Sequence, residues 1–294
     1  MPSERPRLLV IGSRGFLGSH AARVASSIFE VFEASRASKG SGGIAIDIRD
    51  QTSVNAAFEA VSPAYVLHFA AISDIDRCEQ FPDEAKAINL HGTEHVADAC
   101  ARRNARLLFT STGAVFDGKK HGYSEEDPVS PVSVYGQTKA DAEKAVLAVA
   151  PRAVVVRIAL ALGFAANPDT NSLLDNLKKR WAAGQKVALP VHESRNPIDA
   201  RTAGRFILEL LSKKDVRGIF HIGCTTPINR YDLGLLLEAR MGHSGLTEPQ
   251  QAPIPGRAPR GPDHYLLTDK LRAVSTIPIP TCEQVIERCF DVAA

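Results

Sequence analysis

The chain has 294 residues, 44% of them hydrophobic and 23% charged, which is the balance of a water-soluble globular protein with length enough for a sizeable core. A formal net charge of +2 supplies no general field for nucleic acid, and no apolar run approaches the roughly 20 residues that cross a bilayer. The N-terminus is polar and carries no signal-peptide pattern, and the five cysteines are scattered without a CxxC pair. A reducing, cytoplasmic setting follows, with neither a disulfide framework nor a metal site indicated.

Leu8, Leu9, Val10 and Ile11 predict a first strand that runs into Gly12, Gly15 and Gly18 and then into a helical pattern through Ala21, Ala22, Val24, Ala25 and Ile28. This order of strand, glycine turn and helix suits a dinucleotide: the first glycine turns the chain, the second admits a phosphate, and the third packs helix on strand. Arg14, Phe16 and Leu17 share the turn and are candidate cofactor contacts. Residues 30–34 (EVFEA) alternate as a second strand closed by Ser35 and Arg36. A small residue followed by arginine leaves room and donors for a 2′-phosphate, which favours NADP(H), with Arg14 as a second cation. If the strand ends earlier, Glu33 becomes the ribose acceptor and NAD(H) returns.

Residues 44–48 read as a third strand. Asp47, beside Ile48, either accepts from the adenine amino group or caps a helix over residues 52–60. Residues 64–71 form a fourth strand whose end, Phe69, Ala70 and Ala71, is small where a nicotinamide ribose must pass. A long helix is expected from Pro82 to Arg103, with Asn89 inside it. Asn89 either bridges toward the active site or satisfies a kink at Gly92. The fifth strand, residues 107–112, ends in Thr110, Ser111 and Thr112 at the edge where a parallel sheet binds ligands. A loop over residues 119–133 leads to Tyr135 and Lys139, which share a helix face at i, i+4. An ammonium beside a phenol favours the phenolate and brings the phenol toward working pH. A sixth strand over residues 153–158 and helices over 172–183, 199–212, 231–241 and 282–290 follow, with a late strand at 218–223 and an irregular stretch at 250–262.

These residues resemble the extended short-chain dehydrogenase/reductase family over nearly the whole chain. The motifs are GxxGxxG at Gly12, Gly15 and Gly18, the Ser111–Thr112 strand end, and YxxxK at Tyr135 and Lys139. Within the family the chain looks most like the dTDP-4-dehydrorhamnose reductases. That likeness rests on HFAA from His68, STGAVFDG from Ser111, the stretch from Pro131 to Lys139, and Arg195-Asn196-Pro197. The resemblance implies an α/β fold, a doubly wound parallel (Rossmann) sheet with a smaller C-terminal substrate lobe. Residues 1–161 and the late strand would hold the cofactor, and residues 162–294 mainly the substrate. Thr112 would bond the substrate oxygen. Tyr135 would give it a proton as hydride arrives, and Lys139 would hold the nicotinamide ribose and lower the Tyr135 pKa. The implied activity is NADPH-dependent reduction of a keto group on a nucleotide-linked 6-deoxy sugar, in a protein open to homodimer formation. The alternatives are an NAD-dependent nucleotide-sugar epimerase and a non-catalytic NADP-binding regulatory subunit. The chain departs from the reductases at Gly113, where they usually carry an acid, and it lacks the Asp-Glu pair of dehydratases there. In the later part, Asn171, Lys178 and Arg195 are polar candidates with no assigned ligand.

Overall fold

The computed structural model describes residues 5–36, 43–167, 170, 172–252 and 254–291. Seven strands form one parallel sheet: β1 (Arg7–Ile11), β2 (Glu30–Ser35), β3 (Ile44–Ala45), β4 (Tyr65–His68), β5 (Arg106–Thr112), β6 (Val154–Ile158) and β7 (Gly218–Ile222). Their order is β7-β6-β5-β4-β1-β2-β3. The chain builds outward from β1 in one direction and then restarts at β4 on the other side. The direction therefore reverses between β1 and β4, and a crevice opens there at the carboxyl ends.

The strands are apolar in succession because helices cover both faces. Side chains alternate between two cores. Leu8 and Val10 join Leu108, Val154 and Phe206 on one face. Leu9 and Ile11 join Phe58, Leu107, Phe109 and Val155 on the other. The first face carries the helices Phe16–Ala25 and Ala200–Ser212, which pack on each other with Gly204 set against Ala21 and Val24. Around the strand ends lie short pairings made by the later chain. Val187–Pro190 runs beside Thr247–Gln250, and Ser194–Arg195 lies between Ile228–Asn229 and Asp263–His264. No helix among the described residues is long and apolar enough to cross a membrane.

Two local expectations are corrected. The third strand stops at Ala45, so Asp47 and Ile48 lie in the following loop, and the helix Gln51–Val61 is capped by Asp50, which accepts from the Thr52 N–H. The long helix is three pieces: Pro82–Lys86, a π-helical turn Ala87–His91, and Gly92–Arg102, preceded by an unanticipated helix Ile75–Gln80. The extra residue of the wide turn coincides with buried Asn89, whose amide bonds outside the helix. The short helix Asp269–Val274 was also not anticipated.

Arg106, at the start of β5, ties distant segments together. Its buried guanidinium donates to the carbonyls of Leu210, Lys213, Lys214 and Val216, at 3.2, 2.6, 3.0 and 2.5 Å, and so caps the helix Ala200–Ser212 and the turn into β7. Replacing it with Met keeps the stem but strands four carbonyls. Arg106→Met is expected to lower unfolding free energy by about 2–4 kcal/mol in a urea titration, with Arg106→Lys recovering part of the loss. An unchanged midpoint for Arg106→Met would show that the cap is idle.

Candidate active site

The glycine turn has the geometry its spacing implies. Gly12 adopts φ +87°, and a Cβ there would stand 2.6 Å from the Ala70 N. A Cβ at Gly18 would stand 2.2 Å from the Gly12 carbonyl oxygen, so the helix seats on the turn only with hydrogen at that position. Gly15 opens the helix Phe16–Ala25 with no side-chain cap, which leaves first-turn N–H groups for a ligand. A cavity of about 290 Å³ lies against this turn, lined by Gly12, Gly15, Ser35, Arg36, Asp47, Ile48 and the stretch Phe69, Ala70, Ala71 and Ile72. Phe16 stacks edgewise on His20, 5.4 Å between centroids, and Leu17 packs on the core beneath the turn, so both support the cavity rather than line it.

At the far end of the cavity Ser35 and Arg36 form the wall, while Glu33 is exposed and does not reach it. Asp47 neither extends a strand nor caps a helix. Its carboxylate grips Arg49 in a two-pronged pair at 2.5 and 3.0 Å, and that bond holds the carboxyl down at about 2. Arg49 had no motif to announce it, yet it lines the cavity. Arg14 is exposed, and its carbonyl accepts from the Thr170 hydroxyl at 2.7 Å. Arg49 is thus a second cation on the cavity wall, beside Arg36.

The helix Val134–Val149, capped by the Ser133 hydroxyl, carries Tyr135 and Lys139 on one face against β5. Thr112, at the end of β5, accepts from the Ala114 N–H at 3.1 Å, and its hydroxyl acts on the Tyr135 phenol. Lys139 is 3% exposed, and its ammonium lies 4.0 Å from the centre of the Phe109 ring. Burial moves the two groups in opposite directions: the phenol is pushed up to about 12, against the pull of the Thr112 hydroxyl, and the ammonium is drawn down to about 7, against the field of Glu143. The phenol is thus protonated at neutral pH, and the groups that act on it are Thr112 and Cys78 rather than Lys139.

Asn89 bridges the cofactor-side loop to this helix. Its Oδ1 accepts from the Ile72 N–H at 2.8 Å, and its Nδ2 donates to the Ile72 carbonyl at 3.0 Å and to the Thr138 hydroxyl at 3.2 Å. Thr110 donates to the His68 carbonyl at 2.7 Å and tightens the β4–β5 edge without lining the cavity. Ser111 is buried, with a hydroxyl that finds no partner among the described residues.

Thr112 opens onto a second cavity of about 120 Å³, lined also by Arg195, Arg230, Arg257, Arg260 and His264. Glu193 pairs with Arg257 at 3.2 Å, and Asp76 with Arg260 at 2.8 Å, so four guanidinium groups face two carboxylates and the wall is cationic. Arg195 is 6% exposed, held by the carbonyls of Ser194, Gly261 and Pro262. Lys178 points away, exposed on its helix with its ammonium 5.4 Å from the Phe164 ring centre, and Asn171 lies outside the described residues. The other arginines escaped sequence reasoning because they come from separate loops with no shared motif. At Gly113 a Cβ would stand 3.1 Å from the His264 Cβ and 3.4 Å from the Ala159 Cα, so a side chain there would be crowded.

The chain is similar to several known proteins. The dTDP-4-dehydrorhamnose reductase of Aggregatibacter actinomycetemcomitans is 30% identical over 181 residues, 60% of this chain and 59% of that one. The match thus spans less than two thirds of that relative's length. The methionine adenosyltransferase 2 subunit beta of Rattus norvegicus is 25% identical over 245 residues, 79% of this chain and 71% of that one. The crystal structure of dTDP-4-dehydrorhamnose reductase from Bacillus anthracis in complex with NADP has a TM-score of 0.89 at 20% identity, covers 97% of this chain and 99% of that one, and shares the fold. A family model described as the RmlD substrate binding domain matches residues 6–294, and the chain belongs to that family.

Proposed function

We propose that this protein is an NADPH-dependent reductase of a keto group on a nucleotide-linked 6-deoxy sugar. The observation that carries the reading is Tyr135 and buried Lys139 on one helix beside the Thr112 end of β5, flanked by one cavity against a glycine turn and another walled by arginines. The glycine turn fits a dinucleotide diphosphate, since first-turn N–H groups face it and a side chain at Gly12 would collide with Ala70. Ser35, Arg36 and Arg49 fit a 2′-phosphate better than a bare ribose, because among the described residues no carboxylate free of a cation lines that end. The reduced nicotinamide, when bound, supplies hydride. The rest belongs to the chain. Thr112 orients the carbonyl oxygen, and Tyr135, protonated across the neutral range, donates its proton to that oxygen, so the carbonyl ends as an alcohol. Lys139 would bond the ribose hydroxyls. The cationic wall of the second cavity suits the diphosphate of a nucleotide sugar. Residues 1–161 with β7 would carry the cofactor and residues 162–294 mainly the substrate, in a cytoplasmic setting.

The likeness to methionine adenosyltransferase 2 subunit beta favours a second reading, a cofactor-binding regulatory subunit. Tyr135→Phe separates the two. With a 4-keto-6-deoxy nucleotide sugar and NADPH, the variant is expected to turn over about 10³-fold more slowly while NADPH affinity stays within about threefold. Unchanged turnover, or none in the native protein across a panel of such sugars, would sink the reductase reading. NAD(H) released on denaturing the purified protein would favour the epimerase instead. For the cofactor, Arg36→Ala is expected to weaken NADPH about 10–100-fold by fluorescence titration and NADH less than threefold. Equal losses would return the cofactor choice to NAD(H).

A further inference from the structure

The helix Val134–Val149 continues the face of Tyr135 and Lys139 by one more turn, to Glu143. Glu143 is 3% exposed, and both its oxygens are taken by Arg157 of β6: Nε donates to Oε1 at 2.9 Å and a terminal nitrogen to Oε2 at 2.6 Å. Arg157 is as deeply buried, its guanidinium 4.9 Å from the Phe116 ring centre and 3.4 Å from the His221 Nε2. A buried ion pair of this kind is a weak source of stability, since desolvating both charges offsets their attraction. Its place beside the active-site lysine calls for another account.

The groups facing Lys139 come from four elements. Tyr135 and Glu143 share its helix, Phe109 projects from β5, Cys78 from the helix Ile75–Gln80, and His68 from β4. Burial keeps three of these neutral near pH 7: Cys78 is pushed up to about 11, Tyr135 up to about 12, and His68 down to about 3. Glu143 is the one formal charge in this set, and it acts at a distance, because Lys139 makes no ion pair among the described residues. Arg157 saturates that carboxylate and blunts its field.

We infer that Glu143, locked by Arg157, is a positioning residue that sets the charge state of Lys139 and through it the proton balance at Tyr135. The link to Tyr135 rests on the reductase reading; the control of Lys139 does not. A free carboxylate one turn away would pair with the lysine and fix it as an ammonium. Without any carboxylate, the lysine would lose its proton well below neutrality. The pair holds it between these limits, where it exchanges a proton at working pH.

The test is a pH titration of protein carrying [ε-¹³C]lysine, followed by NMR, with the Lys139 resonance identified by its loss in Lys139→Met. No substrate is needed, so failure of the keto-sugar reading leaves this result intact. The native midpoint is expected near 7. Glu143→Gln removes the anion and is expected to move the midpoint down by about one pH unit, and Arg157→Gln frees the carboxylate and is expected to move it up by about as much. The double variant Glu143→Gln/Arg157→Gln leaves no unpaired buried charge and serves if a single variant fails to fold. Its midpoint is expected below the native one, because Glu143 acts on Lys139 more strongly than Arg157 does. Opposite shifts, which a merely structural role would not produce, support the inference. Midpoints unmoved within about 0.3 pH unit, or both single variants shifting the same way, overturn it.

Discussion

The contact on which the rest depends is the abutment of Gly12 against Ala70, where β1 and β4 end side by side. The strands reach this level together because each is stitched to its neighbour just past its last pair: the Gly12 N–H bonds the Ala34 carbonyl at 2.8 Å, and the Phe69 N–H bonds the Ile11 carbonyl at 2.8 Å. A side chain at Gly12 would push the loop over residues 69–72 outward. That loop lines the first cavity and, through Asn89, holds the helix of Tyr135 in place. One missing side chain thus governs both the ligand groove and the alignment of the chemical groups beside it.

Desolvation is the second organising force. It drives a phenol and an ammonium in opposite directions within one helical turn, which leaves a firm proton donor next to a group that titrates near neutrality. Separating two ionisable neighbours in this way is how a site assigns them distinct tasks. The positive charge at the ligand walls is treated differently. Arg49 is moderated by Asp47, Arg257 by Glu193 and Arg260 by Asp76, so each guanidinium is held in place by a carboxylate.

The glycine turn, the strand ends and the Tyr135–Lys139 pair were legible in sequence because each depends on short-range spacing: two residues between glycines, one turn between phenol and ammonium. The same holds for Ser35 and Arg36, which sit at a strand end that alternation alone locates. Arg49 was not legible, since its place depends on a third strand two residues long rather than five. The second cavity was hidden for a stronger reason. Arg195, Arg230, Arg257 and Arg260 meet through two short strand pairings that carry almost no periodicity. Asn89 was flagged as needing partners, but the π-helical turn that presents it leaves no mark that helix propensity can read.

Arg106 has a consequence for how the chain is made. Its four carbonyl partners lie more than a hundred residues downstream, on a segment that leaves the ribosome several seconds after β5. Until then a guanidinium destined for burial remains in water, and the sheet has an open edge beside β6. The nascent chain therefore passes through a stage in which the sheet has most of its strands but neither its outer strand nor its last cap. Completion waits on long-range closure rather than on local propensity, and that interval is when this protein most needs shielding from its neighbours.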